Sequence, residues 1–162
     1  MRRAVLPGLA LLLPAAAAAQ QPLPVLDRIV VHKAARTMDL IAGGRVVAVY
    51  DHIALGPDPH GPKRYQGDGR TPEGTYVIDA GNPASAYRLS LHISYPSPAD
   101  SARAEAAGRD PGGAIFIHGQ PNGRDGKPLP GDWTDGCIAL SNPRMVALWQ
   151  ATADGTPIDI LP

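Results

Sequence analysis

Proline and glycine, 18 of each among 162 residues, set the main limit on what this chain can become. They divide it into short segments, and a single phenylalanine leaves little bulk for wide helix–helix packing. That balance suits a loop-rich β protein better than a helical bundle. Residues 26–33 (LDRIVVHK), 37–41 (TMDLI) and 45–51 (RVVAVYD) read as strands, with Ala42-Gly43-Gly44 as a turn between the last two. Their β-branched residues bounded by glycine are the signal. Residues 74–79 (GTYVID) and 87–95 (YRLSLHISY) are two further strands, the second with clear period-two alternation. Residues 114–118 (AIFIH) form a short apolar strand, residues 137–140 a short extended piece, and residues 158–161 a closing strand. Ser97-Pro98 opens a helix that ends near Gly108, with a hydroxyl cap, proline in the first turn and glycine at the end. Asn142-Pro143 caps a second helix running to about Ala153, with Gly155 beyond it. Two long loops remain, 56–73 and 119–135, and long loops in compact domains are usually functional or mobile. The expected fold is mainly β, a β-rich α+β domain with two short helices in its C-terminal half.

The N-terminus carries Arg2 and Arg3, an apolar segment from Ala4 to Leu13, then Pro14 and five alanines. These are the three parts of a secretory signal peptide, with cleavage expected after Ala19. The apolar segment falls short of the roughly 20 residues of a membrane-spanning helix. The expected organisation is a signal peptide at 1–19, a linker at 20–25 and one domain at 26–162. No membrane span is expected after cleavage. Removing Arg2 and Arg3 from the 15 basic side chains leaves 13 against 15 acidic ones, a net charge near −2. With no basic block and no arginine–aromatic stripe, nucleic acid is not an expected partner.

An exported protein normally pairs its cysteines, yet Cys137 is the only one here. A solitary thiol in an oxidising compartment is a liability unless the thiol itself has work to do. His118 ends the apolar strand nineteen positions earlier. An imidazole can accept the proton that a thiol must lose before it attacks a carbonyl carbon. Gly136 next to the sulfur lets the backbone turn sharply and frees nearby N–H groups to face a developing oxyanion. Gly119 stands beside His118 in the same way. Zinc is not expected, because no Cys-x-x-Cys or His-x-x-x-His spacing supplies further ligands. No cofactor is expected either.

The run Ile117-His118-Gly119, fifteen residues from 119 to 133, and then Thr134-Asp135-Gly136-Cys137-Ile138 resembles the L,D-transpeptidase catalytic domain of the YkuD type. The upstream Gly67-Asp68-Gly69-Arg70-Thr71-Pro72-Glu73-Gly74-Thr75-Tyr76 is similar to a segment of the same family. Leu91 to Ser97 and Cys137 to Asn142 resemble its YafK-like murein transpeptidase branch in Gram-negative bacteria. The resemblance implies an L,D-transpeptidase-like β-sandwich located in the periplasm. It implies cleavage of peptidoglycan stem peptides after the L-centre of the third residue, through a cysteine thioester, with release of D-alanine. An amine then resolves the thioester: another stem peptide or a lipoprotein lysine. With water as acceptor, the same site is a carboxypeptidase or an amidase. A catalytically silent wall-binding module is the remaining alternative.

By position, the resemblance makes Cys137 the nucleophile, His118 the base and the Gly119 carbonyl the group that orients the imidazole. Backbone N–H groups of Asp135, Gly136 and Cys137 would be oxyanion donors, with Thr134, Trp133 and Arg70 at the substrate. Two positions depart from the family pattern. Asp135 stands where many members have histidine; it would either stabilise the imidazolium or accept loop N–H bonds. Ala139 stands where many have an arginine or asparagine that holds the substrate carboxylate, and Arg70 or Arg144 are the candidates to replace it. Trp133 either walls the cleft or plugs the core edge. His92, between Leu91 and Ile93, reads as a half-buried, hydrogen-bonded imidazole. Trp149, Met145 and Leu148 follow helical spacing toward the core.

Overall fold

The computed structural model describes residues 22–124 and 126–162. The predicted signal peptide lies outside them. Strands β1 (Arg28–His32), β2 (Thr37–Ala42) and β3 (Arg45–Tyr50) form an antiparallel meander, turned at Gly43 and Gly44. Strand β4 (Gly74–Asn82) pairs with β5 (Ser90–Ile93), and β5 pairs with β6 (Phe116–His118). Strand β7 (Ile138–Ala139) lies parallel to β6, and β8 (Pro157–Leu161) returns between β1 and β4. The eight strands form one curled sheet in the order β3-β2-β1-β8-β4-β5-β6-β7. A register shift between Ile78 and Ala80 bends β4, which runs from one half of the sheet into the other.

One core serves both halves. Ile29, Val31, Met38 and Leu40 from the first half join Ile78, Ile93, Ile117 and Ile138 from the second, all fully buried. Helix α1 (Pro98–Ala106) starts at Ser97 with a capping box closed by Asp100. The Asp100 carboxylate also accepts from the Tyr76 hydroxyl at 3.0 Å, which locks α1 onto β4. Helix α2 (Asn142–Ala151) turns Met145, Leu148 and Ala151 inward, with Trp149 packed against the core from its edge. Among the described residues no helix is long and apolar enough to cross a membrane.

The β-rich reading holds, with local corrections. Strand β4 runs three residues past the expected Asp79. The expected strand from Tyr87 begins only at Ser90, because Arg88 at φ 70° and the Leu89 N–H to Tyr87 carbonyl bond make a turn there. Helix α2 is preceded by Ser141 rather than capped by Asn142, whose Oδ1 instead accepts from the Gln120 N–H at 2.8 Å.

Two buried lysines shape the 56–73 loop. Lys33 Nζ donates to the Gly61 and Thr71 carbonyls and to Glu73 Oε1 at 2.7, 2.9 and 2.8 Å. Lys63 Nζ donates to the Tyr65 carbonyl and to Asp68 Oδ1 at 3.2 and 2.9 Å. Burial pushes the Asp68 carboxyl up, but N–H donors from Arg64, Tyr65 and Arg70 together with Lys63 outweigh it and hold it below the usual carboxylate range. Removing one partner of a buried ion pair leaves the other uncompensated. Lys63→Met is therefore expected to lower unfolding stability by about 3 kcal/mol or more, measured by urea denaturation. An unchanged midpoint would show that this pair does not hold the loop.

Candidate active site

Parallel pairing of β6 with β7 sets the geometry. Ile117 lies opposite Ile138, and His118 opposite Ala139. Side chains alternate across a strand, so Ile117 and Ile138 point into the core while Phe116, His118 and Cys137 share the other face. These last three line one cavity of about 440 Å³. Asn82, Ser85 and Ser90 complete its polar wall, and Tyr87 and Trp133 its aromatic one.

His118 is 5% exposed, and its Nδ1 lies 2.7 Å from the Gly119 carbonyl oxygen. A carbonyl only accepts, so Nδ1 carries the proton and Nε2 is left as the basic nitrogen. Tyr87 and Trp133 flank the ring at centroid distances of 4.6 and 5.6 Å. Their rings lie 6.1 Å from each other. The imidazole is thus confined by a backbone acceptor and two aromatic walls. Trp133 lines the cavity, as the wall reading requires, although its Nε1 is buried without a hydrogen-bond partner.

Cys137 Sγ is half-buried, 3.4 Å from the Phe116 N–H that donates to it and 3.6 Å from the Ala114 carbonyl. Burial pushes the thiol up; the Phe116 N–H works against this, the Asp135 charge adds to it and Lys63 opposes it. Burial likewise pushes the His118 imidazole below its ordinary value, with the Gly119 carbonyl as a weaker opposing influence. At neutral pH the resting pair is therefore thiol and neutral imidazole, not thiolate and imidazolium. Alkylation of Cys137 by iodoacetamide should rise with pH with its midpoint above that of free cysteine in the same buffer. A reactive plateau extending into mild acid would contradict a neutral resting pair.

Gly136 has φ 120°, and a Cβ there would lie 2.5 Å from the Arg70 carbonyl oxygen. The nucleophile loop thus packs backbone-to-backbone on the 56–73 loop. Gly56 completes this contact, since its own Cβ would reach the Gly69 carbonyl at 2.1 Å and the Gly136 Cα at 3.2 Å. Thr134 is buried. Its hydroxyl donates to the Cys137 carbonyl at 2.7 Å and accepts the Gly136 N–H at 3.2 Å.

The expected residues separate accordingly. Cys137, His118, Trp133, Thr134 and Asp135 all line the cavity, and Gly119 orients the imidazole. Thr134 spends its hydroxyl inside the loop, so it positions the nucleophile rather than reaching outward. The Gly136 N–H is likewise taken, which removes it from the expected oxyanion donors. The Asp135 and Cys137 N–H groups have no protein partner among the described residues. Asp135 does not accept loop N–H bonds; its side chain is exposed at the cavity mouth. Arg70 turns to Asp58, at 2.9 Å from Nε and 2.8 Å from Nη2, and does not line the cavity. Arg144 is held by Asp51. Neither replaces the side chain missing at Ala139, which is 1% exposed and bridged to Ala54. Thr71 and Glu73 face Lys33 and Gly56 rather than the cleft. His92 is held by Asp79 at 2.5 Å with Phe116 against its ring, as its sequence context predicts. A larger cavity of about 770 Å³ lies beside Asp132 and Arg144, but Cys137 and His118 are not in its wall and its arginines are paired to Asp132 and Asp51.

Three contributors escaped the sequence reading: Tyr87, Gly56 and the Lys63–Asp68 pair. Tyr87 lies in what read as a regular strand, and only the turn at Arg88 brings it onto His118. Lysine is almost always solvated, so nothing in the sequence marked Lys63 as buried.

A curled, mainly β domain with a histidine at the end of β6 and a cysteine immediately before the parallel β7, both lining one cavity, defines the class. The L,D-transpeptidase catalytic domain profile matches residues 26–160, and the chain belongs to that family. No curated protein sequence is significantly similar to it. Among solved structures it is similar to the helical cell shape determining protein Pgp2 from Campylobacter jejuni, with TM-score 0.67 and 27% identity over 83% of this chain and 47% of that one. Bd1075 from Bdellovibrio bacteriovorus shares the fold with TM-score 0.58 and 23% identity, over 86% of this chain and 51% of that one. The L,D-transpeptidase from Xylanimonas cellulosilytica shares it with TM-score 0.54 and 15% identity, over 85% of this chain and 61% of that one. The chain therefore spans about half the length of the first two neighbours.

Proposed function

We propose that this protein is an exported L,D-transpeptidase acting on peptidoglycan stem peptides in the periplasm, after removal of residues 1–19. The observation that carries the reading is the placement of Cys137 and His118 on one sheet face, at one cavity, with the imidazole tautomer fixed by Gly119. His118 Nε2 takes the thiol proton as Sγ attacks the carbonyl carbon of the third stem residue. The oxyanion faces the N–H groups of Cys137 and Asp135. Collapse of the tetrahedral intermediate breaks the amide bond. His118 returns the proton to the leaving amine, D-alanine, and a thioester remains on Cys137. An amine from a second stem peptide or a lipoprotein lysine then attacks the thioester. The similarity to Pgp2 supports a role of this chemistry in cell shape.

Purified mature protein incubated with diaminopimelate tetrapeptide muropeptides, with products read by mass, tests the reading. Dimers joined between third residues, together with free D-alanine, are expected. Tripeptide and D-alanine without dimers would make the protein a carboxypeptidase with the same nucleophile. Intact substrate would leave a silent wall-binding module.

A further inference from the structure

Asp135 is a carboxylate in an unfavourable place. It stands at the mouth of the catalytic cavity, and its charge opposes thiolate formation on Cys137. Nearby carboxylates have clear structural duties: Asp132 holds Arg36, Asp68 holds Lys63 and Asp58 holds Arg70. Asp135 has no ion pair or side-chain hydrogen bond among the described residues, and its side chain faces solvent. It therefore gives the fold nothing that would offset its effect on the sulfur. It is also the only charged side chain in the cavity wall, for among the described residues no lysine or arginine lines it. The position where the family pattern places a carboxylate-holding side chain is the small, buried Ala139. The wall of the cavity thus presents one negative charge and no positive one, and the Lys63 ammonium that also acts on the sulfur is buried and paired with Asp68.

We propose that Asp135 selects the acyl acceptor, drawing a primary amine of net positive charge to the thioester in preference to one that also carries a carboxylate. The inference rests on the acyl-transfer reading of the same site. The amine arrives as an ammonium ion beside Asp135 and gives one proton to solvent water at the open cavity mouth, which makes it nucleophilic. Its nitrogen attacks the thioester carbonyl, the C–S bond breaks, and an amide forms. The second proton lost by nitrogen passes through His118 Nε2 to the departing sulfur, which restores the thiol. A charge at a rim acts chiefly on encounter and on salt dependence. Its influence falls off over a Debye length of about 10 Å at 0.1 M salt.

The test uses two thiol reagents of similar size, 2-aminoethyl methanethiosulfonate, which is cationic, and 2-sulfonatoethyl methanethiosulfonate, which is anionic. Each forms a disulfide with Cys137 and releases methanesulfinate, so neither needs a peptidoglycan substrate. The cation should react faster with the wild-type protein. In Asp135→Asn the cation-to-anion rate ratio should fall by about threefold to tenfold at low ionic strength. Any general change in thiol reactivity affects both reagents and cancels in the ratio. An equal ratio in wild type and variant would overturn the inference, whatever the fate of the transferase reading. The companion measurement uses tetrapeptide muropeptide as donor and glycinamide or glycine as competing acceptors. The wild type should favour glycinamide, and Asp135→Asn should lose that preference, read as the ratio of the two amide products, which a change in overall rate leaves unmoved. A preference unaltered by the substitution would also overturn it. Reagent selectivity that depends on Asp135, in a protein that forms no thioester, would uphold the charge selection and remove the transferase reading instead.

Discussion

Cys137→Ser is expected to lower turnover of tetrapeptide muropeptides by about 10³-fold or more, with little change in unfolding stability. The physical reason lies in the resting pair. Burial has already made His118 a weaker base than an exposed histidine. That imidazole can still take a proton from a thiol during attack, because sulfur needs only modest help. A serine hydroxyl is far less acidic, and the site has no carboxylate behind the imidazole to strengthen it: Nδ1 donates to the Gly119 carbonyl. The fold loses little, since the sulfur is half-buried and its hydrogen bonds among the described residues are long ones, from the Phe116 N–H and to the Ala114 carbonyl. Turnover and thermal melting on the same preparation check both halves. Retained turnover would remove Cys137 as the nucleophile.

Gly136→Ala should be nearly as damaging by a different route. The new methyl group would stand 2.5 Å from the Arg70 carbonyl oxygen, at a backbone φ of 120° that side chains rarely adopt. The facing loop cannot retreat, because Lys33 and the Asp68 hydrogen bonds hold it. The nucleophile loop must move instead, carrying Cys137 with it. Displacing a reacting group by about 1 Å can cost about 10²-fold in rate. The expected result is a loss of that order in kcat/KM, with destabilisation of about 1–3 kcal/mol from backbone strain. Thr134 ties Gly136 and Cys137 into one hydrogen-bonded unit, so the strain reaches the sulfur directly. Wild-type kinetics in this variant would mean that the two loops do not set the nucleophile's position.

Much of this was legible from residue order because it depends on local chemistry. β-branched runs between glycines mark β1 to β3, and the Ser97-Pro98 start marks α1. Cys137 and His118 stand out because a solitary thiol in an exported chain needs a purpose. What escaped reading depends on contacts across the fold. Thr134 and Arg70 looked outward-facing, yet each is claimed by a partner that only the tertiary structure supplies: the Cys137 carbonyl and Asp58. The burial of Lys63 follows from a turn that brings Asp68 back onto it. Gly136 was read as needed for a sharp turn, which its φ bears out. Its second reason, the close approach of Arg70, involves a residue sixty-six positions away and leaves no local trace.

The mechanism requires a covalent acyl-enzyme on one sulfur, made with the help of one imidazole. Intact-protein mass spectrometry of the mature protein, quenched in acid during turnover of a diaminopimelate tetrapeptide muropeptide, addresses it most directly. A mass gain equal to the muropeptide less D-alanine, mapped to Cys137 and lost in His118→Ala, is the expected result. Product formation with Cys137 unmodified throughout, or an adduct on any other side chain, would contradict it.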